Sequence, residues 1–321
     1  MFRLGLVFPG QGSQYVGMGS DLYREYAAAR EVFDRVRDIL GFDVASLCFE
    51  GPREALDLTV NTQTVVLTLE IAIYEAFRRE VPLAPEVLAG HSLGEYAALY
   101  AAGALSLEHL FPLVRARARY HQDAVPLGEG AMAAILGPGE DDVREACNRV
   151  CSDGEEVTLA IHNAPGQTVV SGHSAAVERA VEEIRRTGGA QAVKLPISVP
   201  CHCSLLAPAS ERLREDLEGI PFGEFAVPVI PNCDPGVFYT RETARDLLCR
   251  QIVQPVRWKE TIEKMADLGL DTILEMGPKR TLSALIKRID RRFRLLSVEN
   301  ADSLRKTAAL FAEEMEPKLQ S

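Results

Sequence analysis

A serine held between glycines can serve as a nucleophile. Gly90-His91-Ser92-Leu93-Gly94 places one directly after a short apolar run, Glu86 to Ala89, and at the start of a stretch rich in alanine and leucine. The run reads as a strand, and Ser92 to Leu105 reads as a helix. A sharp strand–turn–helix presents the hydroxyl at the sheet edge. The helix N-terminus favours developing negative charge, and the amide of Leu93 is placed to donate to an oxyanion. The same five residues would suit a plain tight turn with an N-capping serine. The flanking strand and helix are what favour the nucleophile.

Such a serine needs a base. The chain has six histidines. The ring of His91, next to the serine, is expected to point elsewhere on the turn. His109 and His173 read as surface residues. His202 lies in an apolar loop, Val199-Pro200-Cys201-His202-Cys203, where a base and a buried structural histidine fit equally. The flanking thiols do not make a zinc site: adjacent residues rarely ligate one ion together, and no C-x2-C partner stands elsewhere.

Two further segments have the residue types for binding. Phe8-Pro9-Gly10-Gln11-Gly12-Ser13-Gln14 follows an apolar strand, Arg3 to Phe8. Glycines on both sides of a glutamine let backbone amides approach a ligand. The pattern is not that of a nucleotide P-loop. Arg115, Arg117 and Arg119 alternate along a helical stretch at 106–123. Residues two apart on a helix point about 200° apart, so at least one arginine leans inward. A buried guanidinium needs an anionic partner, and its fork fits a carboxylate. Three solvated or salt-bridged arginines are the reading that the sequence alone favours.

These segments need a scaffold. Helical periodicity covers about 20–40 and 63–80, with Asn61 or Thr62 as N-cap of the second. Val227 to Pro231 and Thr272 to Met276 read as late strands. Between them lies a different texture: strand 131–136, helix 140–151, strands 157–162 and 167–171, helix 175–187, strand 191–196. That βαββαβ order is the ferredoxin-like motif. The fold expected is α/β, with a parallel-sheet unit over 1–128 and 199–321 and an inserted ferredoxin-like unit over 129–198.

Composition sets outer limits. The 321 residues are 47% hydrophobic and 25% charged, as in a globular protein with a large core. A net charge of -11 opposes nucleic-acid binding. No apolar run nears the roughly 20 residues of a membrane helix. Seven irregularly spaced cysteines and no secretory signal point to free thiols and a cytoplasmic protein.

Taken together, FPGQGSQ (8–14), Thr62-Gln63, GHSLGEY (90–96), Arg117, GAMAAILG (130–137), NAPGQTVVSG (163–172), SVPCH (198–202) and QPVRW (254–258) resemble malonyl-CoA:acyl carrier protein transacylases and the related acyltransferases of polyketide synthesis. The resemblance runs nearly end to end. It implies an α/β-hydrolase-like large domain and malonyl transfer from coenzyme A to a carrier protein through a malonyl-serine ester. It implies Ser92 as nucleophile, His202 as base, the amides of Gln11 and Leu93 as oxyanion hole, and Arg117 as clamp for the malonyl carboxylate. Gln63, Asn163 and His91 would line the acyl site, and the carbonyl of Gln254 would orient His202. No cofactor or metal is implied, coenzyme A being part of a substrate, and the expected state is a monomer. Cys201 fills a position linked in the family to extender-unit choice. Lys279 to Arg294 carries seven cations against Asp290, a candidate surface for an acidic carrier. The rival readings are a polyketide-pathway acyltransferase with another extender unit, an acyl hydrolase on the same scaffold, and a non-catalytic carrier-binding protein.

Overall fold

The computed structural model describes residues 3–152, 154–186, 190–195, 197 and 199–315. Its centre is a parallel sheet made from β1 (Leu4–Phe8), β2 (Val87–Gly90), β7 (Val229–Ile230), β8 (Thr272–Met276) and β9 (Arg294–Val298) in the order β7-β2-β1-β8-β9. β1 and β2 are apolar on both faces, β8 is apolar apart from Thr272 and Glu275, and every residue in the three is buried. Both faces of a parallel sheet are covered by helices, so a continuous apolar run suits its central strands. Phe8 pairs with Gly90, so the segments that follow β1 and β2 leave the same end of the sheet side by side. Ligands bind at that end of open α/β sheets.

The second sheet is antiparallel: β3 (Gly130–Leu136), β4 (Val157–Ala164), β5 (Gln167–His173) and β6 (Gln191–Lys194), in the order β4-β5-β3-β6. Helices Glu140–Val150 and Ser174–Arg186 cover one face, packing Val143, Val177 and Ile184 against Ile135 and Val170. The other face turns Met132, Ala160 and Val169 toward Trp258, Ile262 and Leu282 of the large unit. The chain leaves for this sheet and returns from it at one place, where a Cβ on Gly130 would come within 2.3 Å of Pro200 Cδ.

Several elements differ from the sequence reading. The helix expected from Ser92 begins at Gly94 and ends at Ala101, because Ser92 takes φ 53°. The segment 20–40 is two helices broken at Tyr26, which is extended. The helix expected from 63 starts at Thr59 after Leu58, with no side-chain cap. Asn61 and Thr62 lie inside it, donating to the carbonyls of Ala55 and Leu56. β9 carries no clear apolar run, since it is an edge strand with Arg294 exposed. The expected ends of the second insert helix at 187 and the last insert strand at 196 fall outside the described residues. Among the described residues no helix is long and apolar enough to cross a membrane.

Candidate active site

Two backbone segments meet at the end of β1 and β2. A Cβ on Gly94 would sit 2.1 Å from Phe8 O, and one on Gly10 would sit 2.4 Å from His91 O. Only glycine permits this approach, which sets the Pro9–Gly12 loop against the turn that carries Ser92. Ser92 has φ 53°, a left-handed conformation that costs a non-glycine residue about 1–3 kcal/mol. The turn is pinned accordingly. Ser92 N–H donates to Asn232 Oδ1 at 2.6 Å, Asn232 Nδ2 donates to Gly90 O at 2.5 Å, and Gln251 Nε2 donates to Ser92 O at 2.9 Å. Asn232 is itself held: its N–H donates to Glu95 Oε2 at 2.8 Å, and Tyr239 donates its hydroxyl to Glu95 Oε1.

His202 reaches the serine from the loop after the small sheet, and it too lies in the left-handed region, at φ 61°. Ser92 Oγ–H faces His202 Nε2 at 2.8 Å. On the other side of the ring, Nδ1–H donates to the main-chain carbonyl of Gln251 at 2.8 Å. That bond fixes the tautomer and leaves Nε2 free to accept the serine proton. The sequence reading assigned the carbonyl to Gln254. The short contact belongs to Gln251, while Gln254 O adds a weaker pull on the ring. The reason is Pro255: the carbonyl of Gln251, in the last turn of helix Ala244–Val253, would bond to the N–H of residue 255, and proline has none.

Burial, and then the charge of Arg117, push His202 down to about 3. The imidazole is therefore neutral and ready to accept a proton across the working range. The sign for stability follows. Below pH 6.5 the unfolded chain binds a proton at this histidine that the folded protein refuses until about pH 3, so this group weakens the fold as pH falls through that window. A reaction at Ser92 that used His202 as its base is expected to hold its rate as pH drops from 8 to about 5. A stopped-flow profile that instead halves near pH 6.5 would contradict this environment for His202.

Arg117 is the inward member of the arginine helix, Leu107–Ala124, and is 2% exposed, while Arg115 and Arg119 are exposed. Nη1 donates to Gln63 Oε1 at 2.5 Å and Nη2 to Gln251 Oε1 at 3.1 Å; among the described residues its Nε has no hydrogen-bond partner. The guanidinium lies over the ring of Tyr96 at 5.3 Å. Among the described residues no carboxylate forms an ion pair with it. Glu95, buried nearby, feels the charge of Arg117 but is pushed up to about 7 by burial and makes no ion pair with it, so the guanidinium, held directly by neutral amides, is in the condition in which an anionic group is welcome.

A cavity of about 500 Å³ opens beside these groups, lined by Gln11, His91, Met132, Asn163, Ile197 and Leu282 among others. His91 Nε2 donates to Asn163 Oδ1 at 2.9 Å, so those two residues form one wall. Among the described residues the amides of Gln11 and Leu93 have no intramolecular acceptor. Burial raises the Cys201 and Cys203 thiols to about 12 and about 11, which keeps both protonated and poor metal ligands.

Sequence reasoning missed Asn232, Gln251 and Tyr239, and gave Glu95 no role. Asn232 directly follows Pro231 at the end of β7. A polar residue just past the end of an apolar parallel strand was the available signal. Gln251 was marked only by Pro255, four residues on.

Comparison with known proteins places the chain in a family. The acyl transferase domain model matches residues 6–313. A malonyl CoA-acyl carrier protein transacylase of Bacillus subtilis (strain 168) is 40% identical over 314 residues, covering 98% of this chain and 99% of the relative. One from Haemophilus influenzae is 42% identical, covering 94% and 97%. Among solved structures, the transacylase of Coxiella burnetii superposes with a TM-score of 0.93 at 40% identity over 96% of this chain and 97% of that one. A malonyl-transacylase solved in complex with its type II PKS acyl-carrier protein gives 0.93 at 39% over 96% and 99%. The chain belongs to the acyl transferase domain family, and within it to the malonyl CoA-acyl carrier protein transacylases.

Proposed function

We propose that the chain transfers a malonyl group from malonyl-CoA to the thiol of an acyl carrier protein, with Ser92 carrying the group between them. The observation that supports this best is the buried, carboxylate-free Arg117 beside a serine–histidine pair. Ser92 Oγ attacks the thioester carbonyl while His202 Nε2 takes its proton. The amides of Gln11 and Leu93 hold the oxyanion; one such donor is worth about 3–4 kcal/mol in the transition state. The tetrahedral intermediate collapses, the C–S bond breaks, and the coenzyme A thiolate leaves with the proton from His202. The carrier thiol then attacks the malonyl ester, His202 again moving the proton, and Ser92 is restored. Arg117 pairs with the free carboxylate throughout, and His91 with Asn163 shapes the acyl wall.

Residues 129–198 act as an inserted subdomain that closes one side of the cavity. The carrier is expected on the basic face of helix Thr281–Ile289, where Arg280, Lys287 and Arg291 border a groove of about 540 Å³. Arg288 on the same helix is engaged with Gln167 and Pro165, and Arg292 with Asp290. Charge reversal at Lys287 and Arg291 should raise the KM for carrier about tenfold and leave acylation by malonyl-CoA alone unchanged. An unchanged carrier KM would remove this face from the account.

The test of the function is the intact mass of the protein mixed with malonyl-CoA and no carrier. A malonyl adduct on Ser92 that discharges onto added carrier supports transfer. Free malonate accumulating without a lasting adduct would mark a hydrolase.

A further inference from the structure

Gln251 is joined to all three working groups. Its main-chain carbonyl accepts from His202, its side-chain Nε2 donates to Ser92 O at 2.9 Å, and its side-chain Oε1 accepts from Arg117 at 3.1 Å. It is fully buried. The amide can face only one way, because a carbonyl can only accept and a guanidinium can only donate. The Ser92 carbonyl thus orients the amide that holds Arg117.

We propose that the side chain of Gln251 is a specificity-determining residue: its neutral amide positions Arg117 while leaving that charge for the carboxylate of the incoming acyl group. The inference rests on the malonyl-transfer reading above. A carboxylate of the same shape would reach Arg117 equally well and supply the missing negative charge from the protein. The malonyl carboxylate would then meet a neutralised clamp and a like charge beside it. Gln63 is a second neutral ligand, on Nη1 of the same guanidinium. Two amides where the protein has room for acids is a pattern that stability alone would not select, since a buried cation is more cheaply held by an anion.

The charged and titratable groups that face His202 are Arg117, His91 and His121, all bases. The nearest acid is Glu95, which touches the Gln251 side chain and feels the Arg117 charge but is itself pushed up to about 7 by burial; a carboxylate at position 251 would add a second acid closer to His202 and lift it toward the ordinary histidine range.

The experiment compares Gln251→Glu, Gln251→Met and Gln63→Glu with the natural protein, reading acylation by malonyl-CoA and by acetyl-CoA from intact mass, with thermal unfolding as the check on folding. Gln251→Glu and Gln63→Glu should lower the malonyl-to-acetyl ratio of kcat/KM about 30-fold or more. Gln251→Met should slow both donors and keep the ratio within about threefold, since the main-chain carbonyl persists. An acid limb near pH 6 should appear in Gln251→Glu. If Gln251→Glu does not fold, Gln63→Glu carries the charge test, because it touches Arg117 and leaves Ser92 and His202 alone. A ratio retained in the Glu variants, or lost equally in Gln251→Met, overturns the proposal. Failure of the underlying function is a separate result: the natural protein itself would then form no malonyl adduct.

Discussion

Replacing Ser92 by alanine removes the malonyl adduct and lowers transfer on the order of 10⁴-fold or more. Among the described residues, the hydroxyl facing His202 Nε2 is that of Ser92. The fold should survive the change. Two residues hold the turn through main-chain atoms that alanine keeps, Asn232 on the amide of Ser92 and the carbonyl of Gly90 and Gln251 on the carbonyl of Ser92, and Glu95 in turn holds Asn232. The oxyanion amides and the acyl cavity also remain, so binding of malonyl-CoA should persist while chemistry stops. Intact mass and equilibrium binding on the same sample separate the two. An adduct at full stoichiometry in the alanine variant would remove Ser92 from its role.

Arg117→Ala should cost malonyl transfer about 10²–10³-fold in kcat/KM, the loss expected when one partner of a buried charge pair is deleted. Acetyl transfer should fall by less than about tenfold, because an acetyl group offers the guanidinium nothing to bind. A second signature accompanies the first. The charge of Arg117 is the next cause after burial in depressing His202, so its removal should raise the base and bring an acid limb into the acylation profile. Equal losses for the two donors would show that the carboxylate is read elsewhere.

The chemistry was easier to read in the sequence than its supports. Ser92 and His202 stand in short apolar contexts with glycine or proline nearby, and two such contexts in the right order constrain a fold strongly. Helix geometry pointed to one of the three alternating arginines leaning inward, but it was the resemblance that named Arg117. Its partners did not follow. Gln63 came with the resemblance, but Gln251 lies 134 residues from Arg117 in the chain, and no periodicity links them. The turn at Ser92 was read as helix because propensity is blind to a pinned left-handed residue. β9 was missed because an edge strand in this sheet needs only one apolar face.

Gly130 and Pro200 touch where the chain departs for the small sheet and comes back. The two stems stand side by side, so in evolutionary terms the chain passes to the small sheet through a single doorway, while the inner face of that sheet stays packed on Trp258, Ile262 and Leu282. His202 stands two residues beyond that doorway. A change in the length of either stem therefore pulls first on His202, so it would be felt at the Ser92–His202 contact before it was felt in the core.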